Sequence, residues 1–127
     1  MADRKKILLV EDELDFAKMV MMRLEAAGYD VTIASDTYQG TQAILKGSPD
    51  LIILDLMMPA GGGFTLLERV RKFPAKAAIP VIILTGKTIT EEDKEKAKSL
   101  GVSAIFTKPY DSKKFVDKIG SLLQIGS

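Results

Sequence analysis

A single doubly wound, five-stranded parallel α/β sheet of (βα)5 type is predicted by three features of the chain. Five short apolar segments recur along it: Ile7 to Val10, Val31 to Ala34, Leu51 to Leu54, Val81 to Leu84 and Ala104 to Phe106. Stretches of helical length and amphipathic spacing separate them. The chain has 127 residues, less than the ~150 of a rough average domain, so one domain must hold every element. Strict alternation of strand and helix implies right-handed crossovers, with helices on both faces of the sheet.

Each element has a local reason to form. Three of the apolar runs lack polar alternation, the signature of strands covered on both faces. In the first helix Phe16, Met19, Val20, Leu24 and Ala27 recur at helical spacing, and Gly28 stands where a left-handed C-terminal residue belongs. Asp36 can cap a second helix carrying Ala43, Ile44 and Leu45, which ends near Gly47 because Pro49 prevents its continuation. Phe64, Leu67 and Val70 form a third stripe before Pro74. Thr90 with Asp93 reads as a capping box for a fourth helix through Ala97 and Leu100, closed by Gly101. Asp111 caps a fifth, marked by Phe115, Val116, Ile119, Leu122 and Leu123.

Composition narrows the chemistry. Apolar residues make up 46% and charged residues 28%, the balance of a globular domain. The longest clean apolar runs fall far short of the ~20 residues of a membrane span. No secretory signal is legible at the N-terminus, so the expected location is the cytoplasm. The chain has no Cys and no His, which removes disulfides, thiol catalysis, imidazole bases and the usual zinc ligands. The net charge of +1 conceals an asymmetry: residues 1–64 hold 6 Lys+Arg and 10 Asp+Glu, residues 65–127 hold 12 and 7. A basic nucleic-acid binder is not indicated.

In an open parallel sheet the site lies beyond the carboxyl ends of the strands. There the sequence places Glu11 and Asp12 after strand one, Asp55 after strand three, Thr85 after strand four, and Thr107, Lys108 and Pro109 after strand five. Each alone has an ordinary explanation as a cap, a turn residue or a snorkelling lysine. Their conjunction on one edge is harder to explain that way. Three carboxylates gathered closely repel unless a cation lies among them, and an all-oxygen donor set favours Mg2+, which keeps positions open for water or phosphate oxygens. Lys108 and Thr85 could hold further phosphoryl oxygens, leaving one acid as the acceptor of an acyl phosphate. Asp55 fits best by its central position.

Beyond these residues taken singly, the chain resembles the response-regulator receiver domains of two-component signalling, the CheY-like superfamily, over essentially its whole length. The resemblance is carried by Ile7-Leu8-Leu9-Val10-Glu11-Asp12-Glu13, Leu51-Ile52-Ile53-Leu54-Asp55-Leu56-Met57-Met58-Pro59, Leu84-Thr85-Gly86 and Lys108-Pro109-Tyr110. It implies the flavodoxin-like strand order 2-1-3-4-5 and a cis peptide between Lys108 and Pro109. It further implies that Asp55 is phosphorylated by a histidine kinase or histidine phosphotransfer protein, and that Mg2+ is held by Glu11, Asp12, Asp55 and the main-chain carbonyl of Met57. Thr85 would turn toward the phosphoryl group and Lys108 would pair with it. The face of the fourth helix, fifth strand and fifth helix would then be read by a downstream protein. A monomer or a phosphorylation-dependent dimer is expected, catalysing only its own phosphorylation and dephosphorylation, with no direct nucleic-acid or membrane contact. The expected domain spans residues 1–127, without an output domain.

Departures from the family pattern carry their own expectations. Ile105 stands where many receivers have a switching aromatic, and Phe106 should face the opposite side of the sheet. The loop Ala60 to Gly63 has three successive glycines, read as a floppy or movable turn. Met57 puts an apolar side chain where a polar one could position hydrolytic water, so dephosphorylation should be slow. Met19, Met21 and Met22 read as packing residues, and Lys94, Lys96 and Lys98 as a solvated face. Three other classes compete: a haloacid-dehalogenase-type phosphatase, which needs an Asp where Met57 stands; a flavodoxin-like cofactor carrier, disfavoured by the acids after strand one; and a degenerate receiver that binds partners without phosphate.

Overall fold

The computed structural model describes residues 4–58 and 62–123. Pro59 of the second motif and Ala60 and Gly61 of the glycine-rich loop lie outside them. The elements run β1 (Lys6–Val10), α1 (Leu14–Ala26), β2 (Asp30–Ala34), α2 (Thr37–Gly47), β3 (Leu51–Leu54), α3 (Gly62–Arg71), β4 (Val81–Thr85), α4 (Glu91–Ser99), β5 (Ala104–Thr107) and α5 (Ser112–Leu123). The strands form one parallel sheet in the order β2-β1-β3-β4-β5. No helix among the described residues is long and apolar enough to cross a membrane.

Why the sheet is central follows from its side chains. β3 and β4 are buried throughout, and β1 is buried after Lys6. Alternate residues therefore feed two cores. Ile7, Leu9, Ile53, Ile82 and Leu84 pack with α1 and α5 around Phe115 and Ile119. Leu8, Val10, Ile52, Leu54 and Ile83 pack with α2, α3 and Ala97 of α4. Phe106 joins the first core and Ile105 the second, as the alternation of a strand requires.

The helix ends follow the sequence signals closely. Asp36 Oδ1 accepts the amide of Gln39 at 2.7 Å, and Thr90 and Asp93 form the reciprocal capping box. Asp111 Oδ1 accepts the amide of Lys114 at 3.0 Å, and Gly28 and Gly101 adopt φ of 104° and 73°. α2 ends at Gly47 as expected, followed by the left-handed Ser48, with φ 45°. Contrary to expectation, Met19 and Met22 are not packing residues, being 68% and 70% exposed, because Val20 and Leu24 supply the buried stripe of α1; Met21 alone lies against the core. Lys96 is exposed but not merely solvated, lying 5.0 Å from the Phe64 ring centre and 3.7 Å from Glu68 Oε1.

The expected loop through Gly63 is corrected too: Gly62 and Gly63 belong to the first turn of α3. A Cβ at Gly63 would lie 2.5 Å from both the carbonyl oxygen of Asp55 and Leu54 Cδ1, and one at Gly62, whose φ is 70°, would lie 2.5 Å from the carbonyl oxygen of Leu56. These glycines thus let α3 start directly against the backbone that carries Asp55. Gly63→Ala should destabilise the fold by about 1–3 kcal/mol through forced displacement. Gly47→Ala, where an added Cβ meets nothing within 4 Å, should be neutral or stabilising by up to about 1 kcal/mol. Urea denaturation of the two variants checks the contrast.

Candidate functional site

Parallel strands deliver every predicted site residue to one edge. Glu11 follows β1, Asp55 follows β3, Thr85 ends β4 and Lys108 follows β5. Glu11, Asp55 and Thr85 are 1%, 4% and 0% exposed, whereas Asp12 is exposed. The peptide between Lys108 and Pro109 is cis.

Asp55 is held by three donors. Its Oδ1 accepts the Thr85 hydroxyl at 2.5 Å and the Met57 amide at 2.9 Å, and its Oδ2 accepts Lys108 Nζ at 3.2 Å. The Thr85 hydroxyl also accepts the amide of Lys87 at 3.2 Å. Thr85 therefore already touches Asp55 in this state of the chain. Glu11 is just as fully used: Oε1 accepts Lys108 Nζ at 2.8 Å and Oε2 accepts the Glu13 amide at 3.0 Å. No buried side-chain nitrogen or oxygen among the described residues lacks a partner.

Carboxylate oxygens of Glu11, Asp12 and Asp55 lie within 4.8 Å of one another. The donors are hard oxygens with no nitrogen or sulfur among them, and two of the three residues are buried, so the set fits a small divalent cation such as Mg2+. The Met57 carbonyl is adjacent in sequence, but the contact its residue makes here is through the amide. Lys108 meanwhile supplies the compensating charge.

Electrostatics match that geometry. Burial pushes the Glu11 carboxyl up from its ordinary value, and the hydrogen bond from Lys108 offsets this only in part. Burial works to lower the Lys108 pKa, yet its hydrogen bonds to Glu11 and Asp55 more than compensate and hold it above the ordinary value.

Two neighbours of Lys108 were not anticipated from sequence. Glu13 Oε1 lies 3.4 Å from Nζ, and the ammonium sits 4.1 Å from the ring centre of Phe16. Glu13 was visible in the acidic run. Phe16 was visible in the helix stripe, with nothing to mark its ring as facing a charge.

A buried, triply held Asp at the centre of a 2-1-3-4-5 sheet, flanked by acids and a lysine, defines the receiver class of protein. Residues 7–120 match the family model for the response regulator receiver domain, and the chain belongs to that family. Curated relatives include the DNA-binding dual master transcriptional regulator RpaA of Synechocystis sp., 36% identical over 119 residues, covering 94% of this chain and 49% of that protein. Another is the phosphate regulon transcriptional regulatory protein PhoB of Pseudomonas aeruginosa, 34% identical, covering 94% of this chain and 52% of that protein. The chain thus spans about half the length of these curated relatives. Among solved structures, the chemotaxis response regulator CheY4 of Vibrio cholerae superposes with a TM-score of 0.86 at 29% identity, covering 95% of this chain and 100% of that one. The expected absence of nucleic-acid contact gains no support from relatives named as transcriptional regulators.

The raised Glu11 pKa has a definite sign. Above the ordinary value of 4.5 the unfolded chain releases this proton before the folded chain does. The Glu11 contribution to stability is therefore fully present below 4.5 and is lost as pH rises through the raised value. Glu11→Gln, which keeps an oxygen acceptor for Lys108, should flatten that segment of the metal-free stability profile and be at least as stable as the parent at neutral pH. Chemical denaturation from about pH 4 to about pH 7 tests this; a variant clearly less stable at neutral pH would contradict it.

Proposed function

We propose that this receiver domain accepts a phosphoryl group on Asp55 from a phosphohistidine of a histidine kinase or histidine phosphotransfer protein, and that the modified state is read by a downstream protein. The supporting observation is the environment of Asp55, a buried carboxylate held at both oxygens by Thr85, the Met57 amide and Lys108. In the transfer an Asp55 oxygen bonds to phosphorus as the phosphorus–nitrogen bond breaks, its electron pair remaining on the donor imidazole. Thr85 and Lys108 stand where a hydroxyl donor and an ammonium can receive the new phosphoryl oxygens. Glu11, Asp12 and Asp55, with the Met57 carbonyl, would hold Mg2+, which when bound offsets the negative charge gathered beside an arriving phosphate.

The downstream reader is assigned to the face of α4, β5 and α5, because Thr85 leads directly into the β4–α4 connection and Lys108 directly follows β5. Phosphorylation would shift a two-state equilibrium of that face, in a monomer or a phosphorylation-dependent dimer. The chain catalyses no reaction but its own phosphorylation and dephosphorylation in this reading. The phosphatase alternative is disfavoured by Met57, 59% exposed where that chemistry needs a second Asp.

Incubation with acetyl phosphate and Mg2+ should add one hydroxylamine-labile phosphoryl group to the parent and none to Asp55→Asn, as read by intact mass. An unmodified parent would leave a phosphate-independent interaction module as the better reading. The exposed, apolar Met57 should make the modification long-lived; loss within seconds would contradict that role.

Millimolar Mg2+ should raise the melting temperature of the parent. Asp12→Ala should abolish that shift while leaving the metal-free melting temperature unchanged or slightly higher, since one member of a repelling cluster is removed. A large metal-free loss would instead make Asp12 a structural residue.

A further inference from the structure

Lys108 must keep its ammonium beside Asp55 while the chemistry around it changes. In this structure it has four neighbours: Glu11 Oε1 at 2.8 Å, Asp55 Oδ2 at 3.2 Å, Glu13 Oε1 at 3.4 Å, and the Phe16 ring centre at 4.1 Å. The three carboxylates are unequal to the task of holding it throughout. On the function proposed above, Asp55 is converted to an acyl phosphate and Glu11 is claimed by the metal. Glu13 is 71% exposed and at the long end of hydrogen bonding, so it contributes little. Phe16 is the neighbour whose chemistry neither metal nor phosphate alters.

The ring is also well fixed. Phe16 lies in the first turns of α1 and packs against the α1/α5 core. Its ring meets Tyr110 edge-on, with centroids 6.2 Å apart and planes at 83°. Tyr110 in turn contacts the fully buried Phe115 at 5.0 Å. Tyr110 stands two residues beyond Lys108, so the same short segment supplies both the cation and the support of the ring beneath it.

We propose that Phe16 is a positioning residue for phosphoryl transfer: its ring is the constant seat of the Lys108 ammonium, holding it within reach of Asp55 when Glu11 is occupied elsewhere. The inference rests on the receiver reading for its functional consequence, but the seat itself can be examined without phosphate. A ring face attracts an ammonium electrostatically, most strongly where water is partly excluded, and Lys108 is 16% exposed.

The test compares Phe16→Leu and Phe16→Met, which keep apolar bulk without a π face, with Phe16→Tyr, which keeps the ring. The first readout is the nitrogen-15 NMR order parameter of the Lys108 ammonium with saturating Mg2+, assigned by its loss in Lys108→Met. It should be high in the parent and in Phe16→Tyr, and should fall in both aliphatic variants. The second is the rate of Asp55 modification by acetyl phosphate. It should drop about fivefold in the aliphatic variants, the scale of one partly buried cation–π contact, and be retained in Phe16→Tyr. Ammonium order that survives in Phe16→Leu and Phe16→Met overturns the seat, whatever happens to phosphate. Equal slowing in all three variants, or slowing without loss of order, assigns Phe16 to packing alone and also overturns it. A parent that takes no phosphate sinks the receiver reading by itself, and the ammonium order then decides the seat independently.

Discussion

The Lys108 ammonium is the charge on which the whole site depends. Glu11 and Asp55 are both nearly inaccessible to water, and a buried carboxylate without a partner is too costly to remain ionised. One cation bridges the two, at 2.8 and 3.2 Å. The fold makes this possible across 97 positions of sequence, because β1, β3 and β5 of a parallel sheet deliver their following residues to the same edge. A sheet with any of these strands reversed would send one member of the trio to the opposite end of the molecule.

The same edge is linked to α4 by a chain of polar contacts. Thr85 donates to Asp55 and accepts the Lys87 amide, and Lys87 Nζ pairs with Asp93. Asp93 is the residue that completes the capping box of α4 with Thr90, and the Lys87 hydrogen bond holds its carboxyl below the ordinary carboxylate range. At the far end, Arg71 of α3 donates to the carbonyls of Leu100, Ala77 and Ile79. Between these polar ties, Ala97 is the single buried residue of α4. A helix held mainly by polar contacts at its ends, with little apolar burial between them, is among the elements least costly to shift. That puts the sparsely packed helix beside the site while both cores stay fully packed.

The fold was legible because its signals are local. Apolar runs bounded by turns identified all five strands, and Asp36, Thr90 and Asp111 act as the caps their spacing indicates. Strand order was not legible from periodicity, since every strand reads as apolar whichever neighbours it has; it came with the family resemblance. The gathering of Glu11, Asp12, Asp55, Thr85 and Lys108 was legible because parallel topology fixes where strands end. What escaped notice depended on side-chain direction and close approach. The helical spacing of Met19 did not distinguish the buried stripe from its flank, Gly62 and Gly63 read as a loop because composition carries no record of a backbone pressed against Asp55, and Phe16 looked like one more core ring.

The placement of rings explains how this chain can lack an aromatic at residue 105. Ile105 packs into the core under α2, α3 and α4. The rings collect on the other face, where Phe106 meets Phe115 at 5.3 Å, Phe115 meets Tyr110, and Tyr110 meets Phe16 beneath Lys108. Two distinct routes therefore leave the acidic edge. One is polar and runs from Asp55 through Thr85 and Lys87 to the cap of α4. The other is aromatic and runs from Lys108 through Phe16 and Tyr110 into α5. Because Asp55 contacts both Thr85 and Lys108 directly, a change in its charge or size must displace the origin of both routes together, and no rotating ring on β5 is needed to connect them.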